Sequence, residues 1–168
     1  SDLFERLLLN RGKLDIFFNN AGQEVGDRGH FHEGTAAQWS ATIEPNVSGL
    51  MRVTRTVLDS MVERNTGNIV NIGSVAGIQA YKACAAYAAS KHAVHGLSET
   101  LRLDYGATGI KISEVLPGMV ETEFAATRFG DEKRGAAYYR AFGVCLTPQD
   151  IARSVRFVLA QPSDVVIA

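Results

Sequence analysis

The chain has 168 residues, the size of one domain, and is 46% hydrophobic and 21% charged with 16 glycines, a globular composition rather than a disordered one. Its formal net charge of −1 attracts neither nucleic acid nor an anionic membrane surface, and no apolar run approaches the roughly 18 residues of a membrane helix. Cys84 and Cys145 stand apart without metal-ligand spacing, and Ser1-Asp2-Leu3 lacks the basic and apolar regions of a signal peptide. The expectation is a cytoplasmic protein with reduced thiols, no metal, no nucleic acid and no membrane.

Residues 2–10 read as the end of a helix with Leu3, Leu7 and Leu8 on one face, stopped at Arg11-Gly12-Lys13. Leu14-Asp15-Ile16-Phe17-Phe18 reads as a short strand running into Asn19-Asn20-Ala21-Gly22. Those small and amide residues suit a tight turn, or a backbone that a ligand approaches closely. Residues 23–34 read as a polar loop, in which His30 and His32 are solvated because no third ligand follows at metal spacing. Thr35-Ala36-Ala37-Gln38 is a capping box and opens a helix. Its apolar face runs through Trp39, Ile43, Val47, Leu50, Val53, Val57, Leu58 and Met61 to about Arg64. Pro45 lies inside this pattern and predicts a kink beside Asn46.

Asn65-Thr66-Gly67 ends that helix, and residues 68–74 read as a buried parallel strand stopped by Gly73. A helix follows from Tyr87 to Gly106. Small residues on it, Gly96 above all, permit close approach of another helix, and His92 and His95 read as surface or packing residues. Residues 110–116 read as a third strand, broken by Pro117-Gly118, with residues 119–124 as a loop at its end. Residues 131–140 read as a short helix over the site, and Thr147-Pro148-Gln149-Asp150 starts another. Residues 164–168 read as the beginning of a fourth strand. Alternating strands and helices predict an α/β fold, a doubly wound parallel sheet of Rossmann type in three layers.

The stretch from Ser74 to Lys91 carries the chemistry. Tyr87 and Lys91 are four residues apart, hence on one face of a helix, and Ser74 sits at a strand's carboxyl end, where open α/β sheets bind ligands. A phenol with a pKa near 10 is a poor base at neutral pH, and a nearby ammonium favours its phenolate. It can then exchange a proton with a carbinol or carbonyl oxygen that the serine hydroxyl holds. Such a site lacks a hydride carrier, so a cofactor is implied.

Asn19-Asn20-Ala21-Gly22, Asn46, Ser74, Tyr87-x-x-x-Lys91 and Pro117-Gly118 with Val120 and Thr122 occur together in one order. On these motifs the chain resembles the short-chain dehydrogenases/reductases across nearly its whole length. Within that family it is similar to bacterial NADP-dependent enzymes that oxidise serine and 3-hydroxy acids, through Met61-Val62-Glu63-Arg64, Asn71-Ile72-Gly73-Ser74 and Leu146-Thr147-Pro148. The resemblance implies an oxidoreductase with Tyr87 as acid/base and Lys91 lowering its pKa and holding the nicotinamide ribose. Ser74 positions the substrate oxygen, and Asn46 holds a water in a relay behind Lys91. Asn20, Ala21 and Gly22 line the adenosine side of NAD or NADP, with NADP favoured, while Pro117, Gly118, Val120 and Thr122 meet the nicotinamide end.

Two departures from the family pattern stand out: Pro45 directly precedes Asn46, and the glycine-rich phosphate loop and the residue selecting NAD or NADP are absent. Residues 1–168 are therefore expected to form one domain holding the family's strands four to six and the start of strand seven, incomplete at its N-terminal side. A small-molecule alcohol or carbonyl is the expected partner, with a homodimer or homotetramer formed through the helices over residues 35–64 and 87–106. The other readings are an epimerase or dehydratase on the same scaffold, and a cofactor-free scaffold or regulatory relative.

Overall fold

The computed structural model describes residues 13–26 and 29–168, so the helix expected over residues 2–10 lies outside the described residues. Three parallel strands, β1 (Ile16–Asn19), β2 (Gly67–Ile72) and β3 (Ile110–Val115), form a sheet in the order β1-β2-β3. Ile16 pairs with Asn68 and Gly67 with Ile110, so the strand ends are level and open onto one edge. Parallel neighbours need crossover helices, and the chain supplies them. The helices are α1 (Ala36–Ile43), α2 (Leu50–Arg64), α3 (Ala85–Tyr105), α4 (Phe124–Phe129), α5 (Glu132–Phe142) and α6 (Pro148–Leu159).

Strand periodicity sorts the side chains. Phe17, Ile69, Ile110 and Ile112 face α2 and α3 and pack with Val57, Leu58, Met61 and Leu101, forming the main core. Toward the strands' carboxyl ends the same face turns polar. Asn19 Nδ2 donates to Thr54 Oγ1 (3.3 Å) and Asn71 Oδ1 (3.4 Å), and Asn71 Nδ2 donates to Ser98 Oγ (2.9 Å). This buried chain of amides and hydroxyls ties β1 and β2 to α2 and α3 next to the site, where unpaired polar groups are costly. On the opposite face Phe18 and Ile72 share a cavity with Ile151, Val155 and Leu159 of α6.

The capping box at Thr35 is present, with Thr35 Oγ1 accepting from Gln38 N and Gln38 Oε1 accepting from Thr35 N. The kink expected at Pro45 takes a more specific form, a π-helical turn over Glu44–Gly49 that joins α1 to α2. In a continuous α-helix residue 45 would donate its N–H to the carbonyl of Ala41. Pro45 has none, and Gln23 Nε2 donates to that carbonyl instead, at 2.9 Å. The helix ends on Asn65 in the left-handed region (φ 49°), whose Oδ1 accepts from Gly109 N at 3.0 Å.

Several boundaries differ from the sequence reading. The second strand stops at Ile72, because Ser74 leaves the ladder to cap a 3₁₀ turn over Val75–Gly77. The third helix begins at Ala85, two residues before Tyr87. The loop expected over residues 119–124 runs directly into α4, a six-residue helix that pattern alone did not show. The fourth strand expected over residues 164–168 does not form. Val165 N closes a turn on Pro162 O (3.1 Å), and Ile167 and Ala168 lie beside Val115 and Leu116 without joining the ladder.

Candidate active site

A cavity of about 1310 Å³ lies across the carboxyl ends of the strands, roofed by α4 and α5. Phe18, Asn20 and Gly22 line it from the β1 end, Ser74 from the β2 end, Tyr87 and Lys91 from α3, and Pro117, Gly118, Val120 and Thr122 from the loop after β3. Residues as far apart in sequence as Phe18 and Thr122, 104 positions, thus meet because parallel strands deliver their carboxyl ends to one edge. Of the site residues expected from sequence, Ala21 and Asn46 are not on the cavity wall.

Ser74 is buried and caps the 3₁₀ turn, its Oγ accepting from Ala76 N at 3.1 Å. That bond uses a lone pair and leaves the hydroxyl hydrogen to donate. Gly77 in the same turn packs so closely on α3 that a Cβ would sit 2.7 Å from the backbone oxygen of Lys91. The turn bearing Ser74 is therefore locked against the helix bearing Tyr87 and Lys91. The Lys91 Nζ donates to Ile72 O at 2.9 Å and lies 5.8 Å from the centre of the Tyr87 ring. Burial pushes the Lys91 ammonium down to about 8, against the opposing pull of the Glu114 carboxylate. Tyr87 is half-buried, with the ring of Phe124 edge-on at 5.5 Å.

Asn46 sits behind this group on the π turn and is fully buried. Its Oδ1 accepts from Gln23 N (2.8 Å), and its Nδ2 donates to Gln23 O (2.9 Å) and to Ser90 Oγ (3.0 Å). Ser90 in turn donates to Tyr87 O at 2.7 Å. Asn46 thus ties the loop after β1 to the turn of α3 that carries Tyr87. A Cβ on Gly22 would meet Asn46 Oδ1 at 3.1 Å and Lys91 Nζ at 3.7 Å, so a side chain here would crowd the Asn46 amide.

After β3, Leu146 bonds to both neighbours of Val120: Leu146 N donates to Met119 O and Glu121 N donates to Leu146 O, each at 2.9 Å. A parallel bridge of this kind turns the N–H and C=O of Val120 itself to the other side. Thr122 Oγ1 accepts from Phe124 N at 3.1 Å and keeps its hydroxyl hydrogen. These features suit the nicotinamide end of a dinucleotide: small residues at Gly22 and Gly118 on the cavity wall, a backbone pair at Val120 without a partner among the described residues, and a hydroxyl at Thr122. Among the described residues no group of three or more His, Cys, Asp or Glu side chains could hold a metal ion, and no helix is long and apolar enough to cross a membrane.

Three further residues shape the site and do not stand out in the motif pattern. Gln23 clamps the π turn. Glu114 is buried in β3, its Oε2 2.7 Å from His95 Nδ1, and Gly73 has no room for a Cβ against it. His95, which the sequence marks as a surface or packing residue, is its partner. Arg128 is buried in the roof helix and paired with Glu24. A charged residue inside an apolar strand run was the available signal for Glu114. The other two depend on contacts between segments far apart in sequence.

The family model for short chain dehydrogenases matches residues 1–133. The NADP-dependent 3-hydroxy acid dehydrogenase YdfG of Salmonella typhi is 40% identical over 155 residues, 90% of this chain and 61% of that protein. The protein of the same name from Escherichia coli K12 is 39% identical over 154 residues, with the same shares. Among solved structures, the closed form of serine dehydrogenase complexed with NADP+ superposes with a TM-score of 0.91 at 36% identity, covering 98% of this chain and 68% of that one. An actinorhodin polyketide ketoreductase variant with NADPH gives 0.82 at 32% identity, with shares of 98% and 68%. The chain thus spans about three fifths of the length of these 3-hydroxy acid dehydrogenases.

Proposed function

The chain belongs to the short-chain dehydrogenases, and we propose that it carries the alcohol-oxidising, carbonyl-reducing site of an NAD(P)-dependent oxidoreductase, with NADP the favoured cofactor. The observation that carries this reading is the meeting of Ser74, Tyr87 and Lys91 on one cavity, with the Lys91 Nζ 5.8 Å from the Tyr87 ring centre. A bound nicotinamide supplies the hydride acceptor or donor. The protein's own residues move the proton. The Ser74 hydroxyl donates to the substrate oxygen, which fixes it beside Tyr87. The phenol oxygen takes the carbinol proton in oxidation and returns it to the carbonyl oxygen in reduction. The Lys91 ammonium favours the phenolate by its charge and would hold the ribose of a bound nicotinamide nucleotide.

Asn46 holds the wide turn, Gln23 and Ser90 together. With both hydrogens of its amide used, we assign the relay water behind Lys91 to its main-chain carbonyl. Asn20, Ala21 and Gly22 take the adenosine side of the cofactor; Pro117 and Gly118 shape the loop, and Val120 and Thr122 meet the carboxamide. We further place the protein in a reducing, cytoplasmic compartment, which suits the free thiols of Cys84 and Cys145. We propose that it works as a homodimer or homotetramer through α2 and α3, where Leu103 is 84% exposed and nothing lies within 4 Å of a Cβ built on Gly96. The full-length protein mixed with NADP and a panel of short hydroxy acids and neutral secondary alcohols is expected to form reduced nicotinamide, read by absorbance. No reduction with either NAD or NADP across the panel would contradict the assignment.

A further inference from the structure

The roof helix α4 places a cation at the cavity wall. Arg128 is only 5% exposed, and its Nη2 lies 2.5 Å from Glu24 Oε2, both side chains being buried. Its Cζ lies 5.3 Å from the Phe124 ring centre, 5.5 Å from that of Phe129 and 5.2 Å from that of Tyr138. Those aromatic walls strip water from the guanidinium. Its Nε and Nη1 are buried and have no hydrogen-bond acceptor among the described residues. An arginine has five donors in a planar fork, and leaving them buried and unbonded is costly. A purely structural ion pair would be expected to use the fork more completely.

Position supplies the second half of the inference. Phe124 packs edge-on against Tyr87 at 5.5 Å and lies against Arg128 at 5.3 Å, so the guanidinium stands one aromatic ring away from the reacting phenol. Arg128, Tyr87 and Ser74 all line the same cavity. The other charged groups on its wall are Lys91, Arg156 and the carboxylate of Glu123, so cations outnumber carboxylates there. Glu24, which fixes the guanidinium, adds one more negative charge beside it.

We propose that Arg128 anchors the carboxylate of a hydroxy-acid substrate whose carbinol oxygen lies between Ser74 and Tyr87. The proposal rests on the dehydrogenase reading above and specifies which end of the substrate is held, and by what. The unbonded guanidinium donors receive the carboxylate; Glu24 keeps the fork aimed inward; the rings of Phe124, Phe129 and Tyr138 exclude the water that would screen the pair. Arg128 is then a specificity-determining residue and takes no part in proton transfer.

The test compares a short 3-hydroxy acid with its methyl ester, which carries the same carbinol without the charge. The wild-type protein is expected to prefer the acid, chiefly through KM. In the double variant Glu24→Gln/Arg128→Met, which avoids leaving a buried carboxylate unpaired, the acid-to-ester ratio of kcat/KM should fall about 10²-fold. Arg128→Lys keeps the charge without the fork, and its ratio should fall about tenfold. Malonate, which carries carboxylates but no carbinol, should raise the melting temperature of the cofactor-loaded wild type and not that of the double variant. If acid and ester activities fall together, or malonate stabilises both proteins equally, Arg128 is a packing group of the roof and the anchor is refuted. Turnover of neither substrate by the wild type would refute the dehydrogenase reading itself, a separate outcome from an unchanged ratio in an active protein.

Discussion

Gln23→Ala tests how this chain tolerates Pro45 inside a helix that must place Asn46. Among the described residues the Gln23 side chain makes one bond, Nε2 to Ala41 O at 2.9 Å, and it serves the carbonyl that Pro45 cannot. The main-chain bonds of Gln23 to Asn46 survive the substitution. The loss is therefore one hydrogen bond to a half-buried carbonyl that water regains in part, about 1 kcal/mol, or roughly 2–4 °C in melting temperature. Pro45→Ala restores an N–H able to reach Ala41 as in an ordinary helix. In that background Gln23→Ala should be nearly neutral, so a double-mutant cycle should return a coupling of about 1 kcal/mol. Urea or thermal unfolding of the four proteins measures it. A cost for Gln23→Ala that is the same with proline or alanine at position 45 would refute the compensation.

Two further outcomes follow from the site and the surface. Lys91 is depressed to about 8 in the folded protein against 10.5 for a free lysine, so between these values the unfolded chain binds more protons and stability rises with pH. The stability advantage of Lys91→Met over wild type should shrink across that window, by on the order of 3 kcal/mol at most; parallel stability curves for the two proteins would contradict a desolvated lysine. The full-length protein should scatter light as a dimer or tetramer at micromolar concentration, and Leu103→Glu on α3 should shift it toward monomer. A wild-type protein that is purely monomeric would remove the interface assigned to α2 and α3.

Much of this architecture was legible because it follows from period and punctuation. Apolar runs of β-branched residues alternating with 3.6-period segments gave the parallel sheet, and Thr35 with Gln38 gave the start of α1. Spacing alone put Tyr87 and Lys91 on one helical face, and the strand end put Ser74 beside them. The π turn was legible only as a disturbance: proline signals a missing bond, but what replaces it depends on Gln23, 22 residues upstream. The roof helix α4 escaped because six residues carry too little periodicity to register, and such a helix persists through packing on α5. Arg128 and Glu114 escaped because a charged residue reads as solvated until the segments that bury it are brought together. Residues 164–168 have the composition of a strand, but ladder pairing is a property of the neighbour as much as of the segment.

Tyr87→Phe tests the central claim most directly, since it removes one oxygen and leaves the ring packed against Phe124. With NADP affinity and melting temperature measured in parallel, the proton-transfer role predicts a fall in turnover of about 10²-fold or more while both of those stay near wild type. Near-normal turnover in Tyr87→Phe would contradict it.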